Sequence, residues 1–169
     1  MTPVQGPDKE ERLNHMVIAY EKDLLRLCCV YLRDINLAQD AVQETFLKAF
    51  RRMDRFEGRS SEKTWLMRIA INTCKDMLRG GWFRHVDASA ILDDLPLPVA
   101  PPSEEHIALT SAIMALPKKE MEVILLHRDQ GMNLRETAKA LGVSQPTVRN
   151  RLNKARHALR IALEGGEAE

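Results

Sequence analysis

Residues 133–159 read NLRETAKALGVSQPTVRNRLNKARHAL. Ala138 is small, as two closely approaching helices require, and Gly142 four residues on supplies the permissive backbone of a turn. Val148, six further, packs a second helix onto the first, and Leu134, Leu141, Val143 and Leu152 complete a small core. Ser144 can cap the second helix, and Pro146 is tolerated in its first turn. The spacing predicts a helix-turn-helix with helices at about 134–141 and 145–162. On the second, Val148, Leu152, Ala155 and Leu159 form a narrow inward stripe. Asn150, Asn153, Lys154 and His157 point away from it, and Arg149 and Arg151 flank it. Long donors with no carboxylate among them suit the edges and phosphates of a DNA major groove. A helical hairpin with a solvated basic face is the plainer alternative.

Outside this segment the charge is blocked. The 169-residue chain carries a formal net charge of only +1. From Lys48 to His85, however, ten Lys/Arg face four Asp/Glu. Val86 to Leu116 has five acids and no Lys/Arg, and Met132 to Arg160 has seven Lys/Arg against one Glu. A polyanion could bind both ends and be repelled by the middle. The middle also holds Pro96, Pro98, Pro101 and Pro102, which cannot continue a helix and read as an extended linker. The expected architecture is all-α: two small helical domains at 11–85 and 104–165, joined by an acidic Pro-rich linker at 86–103, with disordered tails. Joined by a flexible linker of this kind, the free domains should bind DNA only weakly.

Apolar residues at helical spacing from Leu13 to Tyr31 predict a helix over about 12–33. Asn36 is the candidate cap of a second helix, with a buried face of Ala38, Ala41, Val42, Thr45, Phe46, Ala49 and Met53. On it Asp40, Gln43 and Glu44, at i, i+3 and i+4, make a polar-acidic patch. Phe56–Ser61 is a break, and Ser60 or Ser61 caps a third helix that runs to about Arg79 and stops at Gly80-Gly81. Its inward face is Leu66, Ile69, Ala70, Thr73 and Met77. Arg68, Asn72, Lys75 and Arg79 form a separate stripe with Trp65 at its edge. An aromatic beside cations and an amide can bind unpaired bases, although Trp65 could equally be core. In the second domain Ser103 opens a helix to Leu116, and another runs from Pro117 to Gly131.

No run of about 18 apolar residues that could span a membrane is present, and the N-terminus lacks the apolar core of a signal peptide, so a cytoplasmic location is expected. Cys28, Cys29 and Cys74 form neither a disulfide framework nor a zinc pair. The five histidines are scattered, with no metal-binding or catalytic motif and no Gly-rich phosphate loop. No catalytic residue, cofactor or metal is expected.

The order DAVQETFLKAFRRMDRF, TWLMRIAINTCKDMLR, an acidic proline-containing linker, LPKKEMEVILL and the helix-turn-helix resembles bacterial sigma factors. It is most similar to the extracytoplasmic-function (ECF) group of the sigma-70 family, over about residues 11–163. The resemblance implies an alternative sigma factor, monomeric when free, that binds core RNA polymerase and directs initiation at promoter DNA. An anti-sigma factor, soluble or membrane-bound, is the further partner it implies. Asp40, Gln43, Glu44 and Phe46 match the segment that docks on the basic clamp coiled coil of the largest polymerase subunit. Phe56 to Ser61, including Ser60 and Ser61, match the loop that pockets a base flipped from the −10 element. Asn72 matches a position that reads that base, and Trp65, Arg68, Lys75 and Arg79 lie on the same helix. The second helix of the helix-turn-helix matches the −35 reader. There Ser144, Thr147, Arg149, Asn150, Asn153 and Lys154 are candidates near base edges, and Arg151 and Arg156 candidates for phosphates. The linker would thread the polymerase active-site cleft, its charge resembling nascent RNA. The chain departs from the common pattern at Pro146, where many members have Gly, and in the charges of Glu57 and Arg59. A stand-alone helix-turn-helix regulator is the competing reading. It explains 132–160 but not the acidic patch or the basic Trp65 helix, and it predicts a dimer on a palindromic site.

Overall fold

The computed structural model describes residues 8–80 and 103–165. Among them every regular element is helical. The first unit contains α1 (Lys9–Leu32), α2 (Ile35–Arg52), a 3-10 turn at Met53–Arg55 and α3 (Glu62–Arg79). The second contains α4 (Glu104–Met114), α5 (Lys118–Ile124) with a π-helical turn at Leu125–Asp129, α6 (Leu134–Leu141) and α7 (Gln145–Glu164). The expected linker up to residue 102, and residues 1–7 and 166–169 of the expected disordered tails (1–10 and 165–169), lie outside the described residues, whereas Lys9 and Glu10 are the first turn of α1.

Local chemistry sets the helix ends. Arg33 takes a left-handed conformation (φ 57°) at the end of α1, and Asp34 then caps α2. Its Oδ1 accepts from Asn36 N at 2.8 Å and Leu37 N at 3.1 Å. The cap is therefore Asp34, not Asn36. The extended backbone of Asp34 (φ −154°) aims its short carboxylate at the first free amides, where it also meets the positive helix end. Ser61, of the two candidates, caps α3, and Ser103 caps α4. Asn133 and Glu136 form a reciprocal capping box on α6. The Asn-x-x-Glu spacing announces that device in the sequence, and the helix-turn-helix reading passed over it. Gly142 ends α6 at φ 67°, a conformation that costs an L-residue roughly 1–2 kcal/mol, and Ser144 opens α7.

The first unit packs α2 and α3 across α1. Every residue of the expected α2 face is buried, from Ala38 to Met53. On α3, Leu66, Ile69, Ala70 and Thr73 are buried as expected. α3 has a second buried side, however, with Met67, Ile71 and Cys74 at 1% exposure or less. These lie at i, i+4 and i+7, about a third of a turn from the first face.

That second side leads to the second unit. α3 packs on α6 and α1 on α4, and the buried residues of both units form one continuous cluster. Among the described residues, the two units thus pack directly on each other. An apolar stripe on α3 that could not face water needed partners beyond α2, and α1 and α6 both pack on this helix, with Cys74 against Cys28 of α1. α5 and its turn lie at the centre of this arrangement, with Met121 to Leu126 all buried. The single helix expected over 117–131 is a shorter α-helix followed by a π turn, in which Gln130 N reaches back to Leu125 O at 3.1 Å.

Candidate nucleic-acid interface

Three surfaces collect the residues singled out in the sequence. The first is on α2. Asp40 and Gln43 are exposed and Glu44 is half-buried. They line a shallow depression of about 390 Å³ with Leu47 and Met77. Leu47 is 49% exposed, an apolar floor between carboxylates that the charge-based reading missed. Its position one turn beyond Gln43 and Glu44 was the available signal. Phe46 is separate from them: at 8% exposure it belongs to the core. Its contribution is to seat α2, not to touch a partner.

The second surface runs from the break after α2 along α3. The Phe56 and Trp65 rings lie 4.8 Å apart between centroids, tilted by 34°. Both are half-buried, so Trp65 is neither pure core nor a free stacking platform. It forms an aromatic wall with Phe56 at the root of the loop, a geometry that favours paired rings. Ser61 Oγ accepts from Thr64 N at 3.1 Å and donates to Thr64 Oγ1 at 2.9 Å, so its hydroxyl serves the helix end. Ser60 is half-buried. Glu57 and Arg59 pair across the loop at 2.9 Å, which cancels much of the charge that each would show to a ligand. Arg68 and Asn72 are exposed on the stripe. Arg79 is exposed and pairs with Asp76. Lys75 is half-buried, and its Nζ lies 3.3 Å from Glu122 of α5.

The third surface is α7. Val148, Leu152, Ala155 and Leu159 are buried, as the stripe required. Arg149, Asn150, Asn153, Lys154 and Arg156 are exposed. Ser144 Oγ accepts from Thr147 N at 3.3 Å and lies 2.8 Å from Thr147 Oγ1. That pair therefore shapes the N-terminus of α7, as well as standing beside it. Arg151 differs from its neighbours. It is half-buried and lines the cleft between the units with Lys75, Arg79, Lys118 and Lys119, so it does not share the outward face.

Glu122, unremarked in the sequence, is the buried charge of the molecule's centre, with its side chain 4% exposed. Tyr31 Oη donates to its Oε1 at 2.7 Å. Burial, then this hydrogen bond, pushes the Tyr31 phenol well above its ordinary range. Desolvation lowers Lys118 at the same cleft, against the pull of Glu122. The one legible signal was an acid inside the otherwise apolar run of Met121 to Leu126.

An acidic patch and two basic faces on one helical chain match a known arrangement. Residues 16–84 match the model of sigma-70 region 2, and residues 106–159 match sigma-70 region 4. The RNA polymerase sigma-H factor of Pseudomonas aeruginosa is 31% identical over 95% of this chain and 90% of its own length. The chain belongs to the sigma-70 family. Within it, the ECF sigma factor SigM of Mycobacterium tuberculosis is 33% identical over 83% of this chain and 71% of its own. SigX of Bacillus subtilis is 29% identical over 92% and 85%. These relatives make it an ECF-type sigma factor. Among solved structures, CnrH in complex with the cytosolic domain of CnrY is similar at a TM-score of 0.72 and 25% identity, over 92% of this chain and 90% of that one. RpoE of Bartonella quintana, in complex with the anti-sigma factor NepR, shares the fold at a TM-score of 0.73, with 21% identity over 90% and 97%. The acidic patch, the aromatic loop and the α3 stripe of this sigma factor all fall within its region 2, and α7 as far as Leu159 lies within its region 4. No helix among the described residues is long and apolar enough to cross a membrane.

Proposed function

We propose that this sigma factor docks on core RNA polymerase through Asp40, Gln43, Glu44 and the exposed Leu47. On this reading it reads a −35 element with α7 and captures a −10 base with the Phe56–Ser61 loop and α3. The domain limits that follow are 11–85 for docking and −10 recognition, 86–103 for the linker, and 104–165 for −35 recognition. The observation that carries the reading is the presence, on one chain, of an acidic docking patch with an apolar floor beside two basic faces. A stand-alone regulator needs only α7.

The action is physical. The chain works by binding in the cytoplasm and contributes no catalytic group. Two weak DNA contacts held at fixed separation by polymerase act as one strong contact, because the second becomes intramolecular. Capture of an unstacked base then favours the open strand, since a base outside the stack no longer pairs. Trp65 and Phe56 supply the apolar wall for that base, while Arg68 and Asn72 supply a cation and an amide. Arg149, Asn150, Asn153 and Lys154 reach base edges and Arg156 a phosphate, with Ser144 and Thr147 fixing the start of the reading helix. Arg151 joins them only if the cleft between the units opens. An anti-sigma factor that covers these faces would silence the protein. The complexes of CnrH and RpoE support that kind of partner here.

Size-exclusion chromatography with sigma-free core polymerase tests the assignment. A 1:1 complex is expected. A folded protein that ignores core but binds duplex DNA as a dimer would establish the stand-alone regulator instead. In the reconstituted holoenzyme, Arg149→Ala is expected to relax base preference at one −35 position by about 1–3 kcal/mol, read by selection from a randomised promoter pool. Uniformly weaker binding with unchanged preference would make Arg149 a phosphate contact.

A further inference from the structure

The cleft between the two units gathers positive charge that the molecule itself does not neutralise. Its volume is about 520 Å³, within the usual range of small-molecule sites. Lys75 and Arg79 of α3 line one side, and Lys118 and Lys119 of α5 and Arg151 of α7 the other. Glu122 is the single carboxylate among the lining residues. It is already committed, accepting from Tyr31 Oη at 2.7 Å and pairing with Lys75 at 3.3 Å. Arg79 pairs with Asp76, which stands outside the cleft. Lys118 Nζ lies 5.5 Å from the centroid of the Tyr31 ring. Lys119 and Arg151 make no ion pair or hydrogen bond among the described residues.

Five cations against one carboxylate leave the lining residues at +4. Burial holds the Lys118 ammonium below its ordinary range; Glu122 opposes that shift and the Arg33 guanidinium adds to it. Like charges gathered in a concavity repel one another and focus an attractive field on an anion that enters. The remaining wall is apolar. Leu78, Leu141 and Val143 are half-buried and line the same cleft, where a flat ring can leave water. A chain of phosphates suits the cations. A terminal phosphate alone carries about −1.5 to −2 at neutral pH, and arginine forks and lysine ammonium groups are its ordinary donors. A DNA duplex, whose major groove alone is about 12 Å wide, is too broad to enter. A phosphate chain that ends in a nucleoside uses both the charged and the apolar wall.

We propose that this cleft binds a nucleoside polyphosphate, with its phosphates among Lys75, Arg79, Lys118, Lys119 and Arg151 and its base against Leu78, Leu141 and Val143. Neither unit holds the ligand alone: α3 supplies one side, and α5, α6 and α7 supply the other. Lys75 and Arg79 also belong to the α3 stripe. On the −10 reading given above, the ligand and single-stranded promoter DNA therefore exclude each other. The site itself stands without that reading.

Isothermal titration of the full chain with ATP, GTP and inorganic tripolyphosphate tests the site, at physiological salt, where exposed charges are screened beyond about 8 Å. ATP or GTP should bind with 1:1 stoichiometry. Tripolyphosphate should bind about tenfold more weakly, because it leaves the apolar wall uncovered. Lys118→Gln/Lys119→Gln removes two exposed cations and should weaken nucleotide binding at least tenfold, since two contacts to charged phosphate are lost. Arg149→Ala, on the outward face of α7, should leave nucleotide binding unchanged. Equal weakening by the two variants would reveal diffuse attraction to a basic surface and overturn the site, as would no binding of any of the three probes. Tripolyphosphate bound as tightly as ATP would uphold a phosphate site and overturn the nucleoside. A single-stranded oligonucleotide bearing the −10 strand selected with the holoenzyme should displace the nucleotide. Both bound at once would uphold the site and overturn the assignment of Lys75 and Arg79 to DNA.

Discussion

Reversing Asp40 and Glu44 to Lys is expected to reduce affinity for core polymerase by at least 100-fold while leaving the fold intact. Both carboxylates lie around Leu47 and Met77. Neither makes a salt bridge within the chain among the described residues, so their removal leaves no buried partner unpaired. Folding should therefore change by no more than about 0.5 kcal/mol, as for an ordinary surface site. Binding is different. Two attractive pairings with a basic surface become two repulsive ones, and close charge pairs across interfaces couple by about 1.5–7 kcal/mol. Three kilocalories per mole already correspond to roughly 150-fold. Leu47→Ala should weaken the complex by a smaller factor, through lost apolar contact alone. Titration of labelled protein into core polymerase reads both. Unchanged affinity in the double Lys variant, with an unchanged helical spectrum, would sink the docking assignment on α2. Raised salt should weaken the wild-type complex and leave the double variant less affected, because screening acts on the attraction that the variant has lost.

Where the sequence was legible, one periodicity decided one face. The stripe Val148, Leu152, Ala155, Leu159 is buried because each residue follows the last by three or four positions, so that one narrow face of α7 meets α4, α5 and α6. The same holds for Ala38 to Met53 on α2. Reading fails where a helix is covered on two separate sides. On α3, Met67, Ile71 and Cys74 are as apolar as the first face, yet a single inward stripe absorbed all the attention. Their burial follows from the packing of α1 and α6 on a helix already covered by α2, contacts between residues distant in sequence that local spacing cannot specify. Glu122 follows the same logic. Its neighbours Met121 and Val123 announce burial, but Tyr31 and Lys75, 91 and 47 positions away, decide whether a carboxylate can be tolerated there. Phe46 fails for a different reason. Its place in a docking motif is a statement about the motif, whereas its periodicity puts it inward, and the periodicity wins. The cap at Asp34 in place of Asn36 is a shift of two residues, the usual looseness of a helix start read from pattern.

Leu152→Ala tests whether the seam between the units, where α3 packs on α6 and α1 on α4, makes one folding unit of two. Leu152 is 2% exposed at the centre of the α7 stripe, and truncation of such a residue costs about 2–5 kcal/mol, from lost transfer energy and the cavity left behind. At roughly 2–4 °C per kcal/mol for a chain of this size, the melting temperature should fall by about 5–15 °C. The informative point is which part melts. Trp65 stands in the first unit against Phe56, on a helix that packs directly on α6. If buried residues of both units form one cooperative core, environment-sensitive signals from Trp65 should shift with those from α7, although Leu152 belongs to the second unit. Hydrogen exchange resolves this by segment: amides of α3 and α7 in Leu152→Ala should lose protection together. Protection lost on α7 alone, with α3 unchanged, would mean that the units fold separately and touch only as neighbours. The same variant should then behave differently once Lys63→Ala/Lys139→Ala is added, which removes the bonds that Lys63 donates to Gln130 O and Lys139 to Arg59 O across the seam. Loosening the seam uncouples the units, so the Leu152→Ala deficit should retreat to α7, and the two sets of substitutions should be non-additive in their effect on α3. That departure from additivity is a direct measure of the coupling energy that the seam carries.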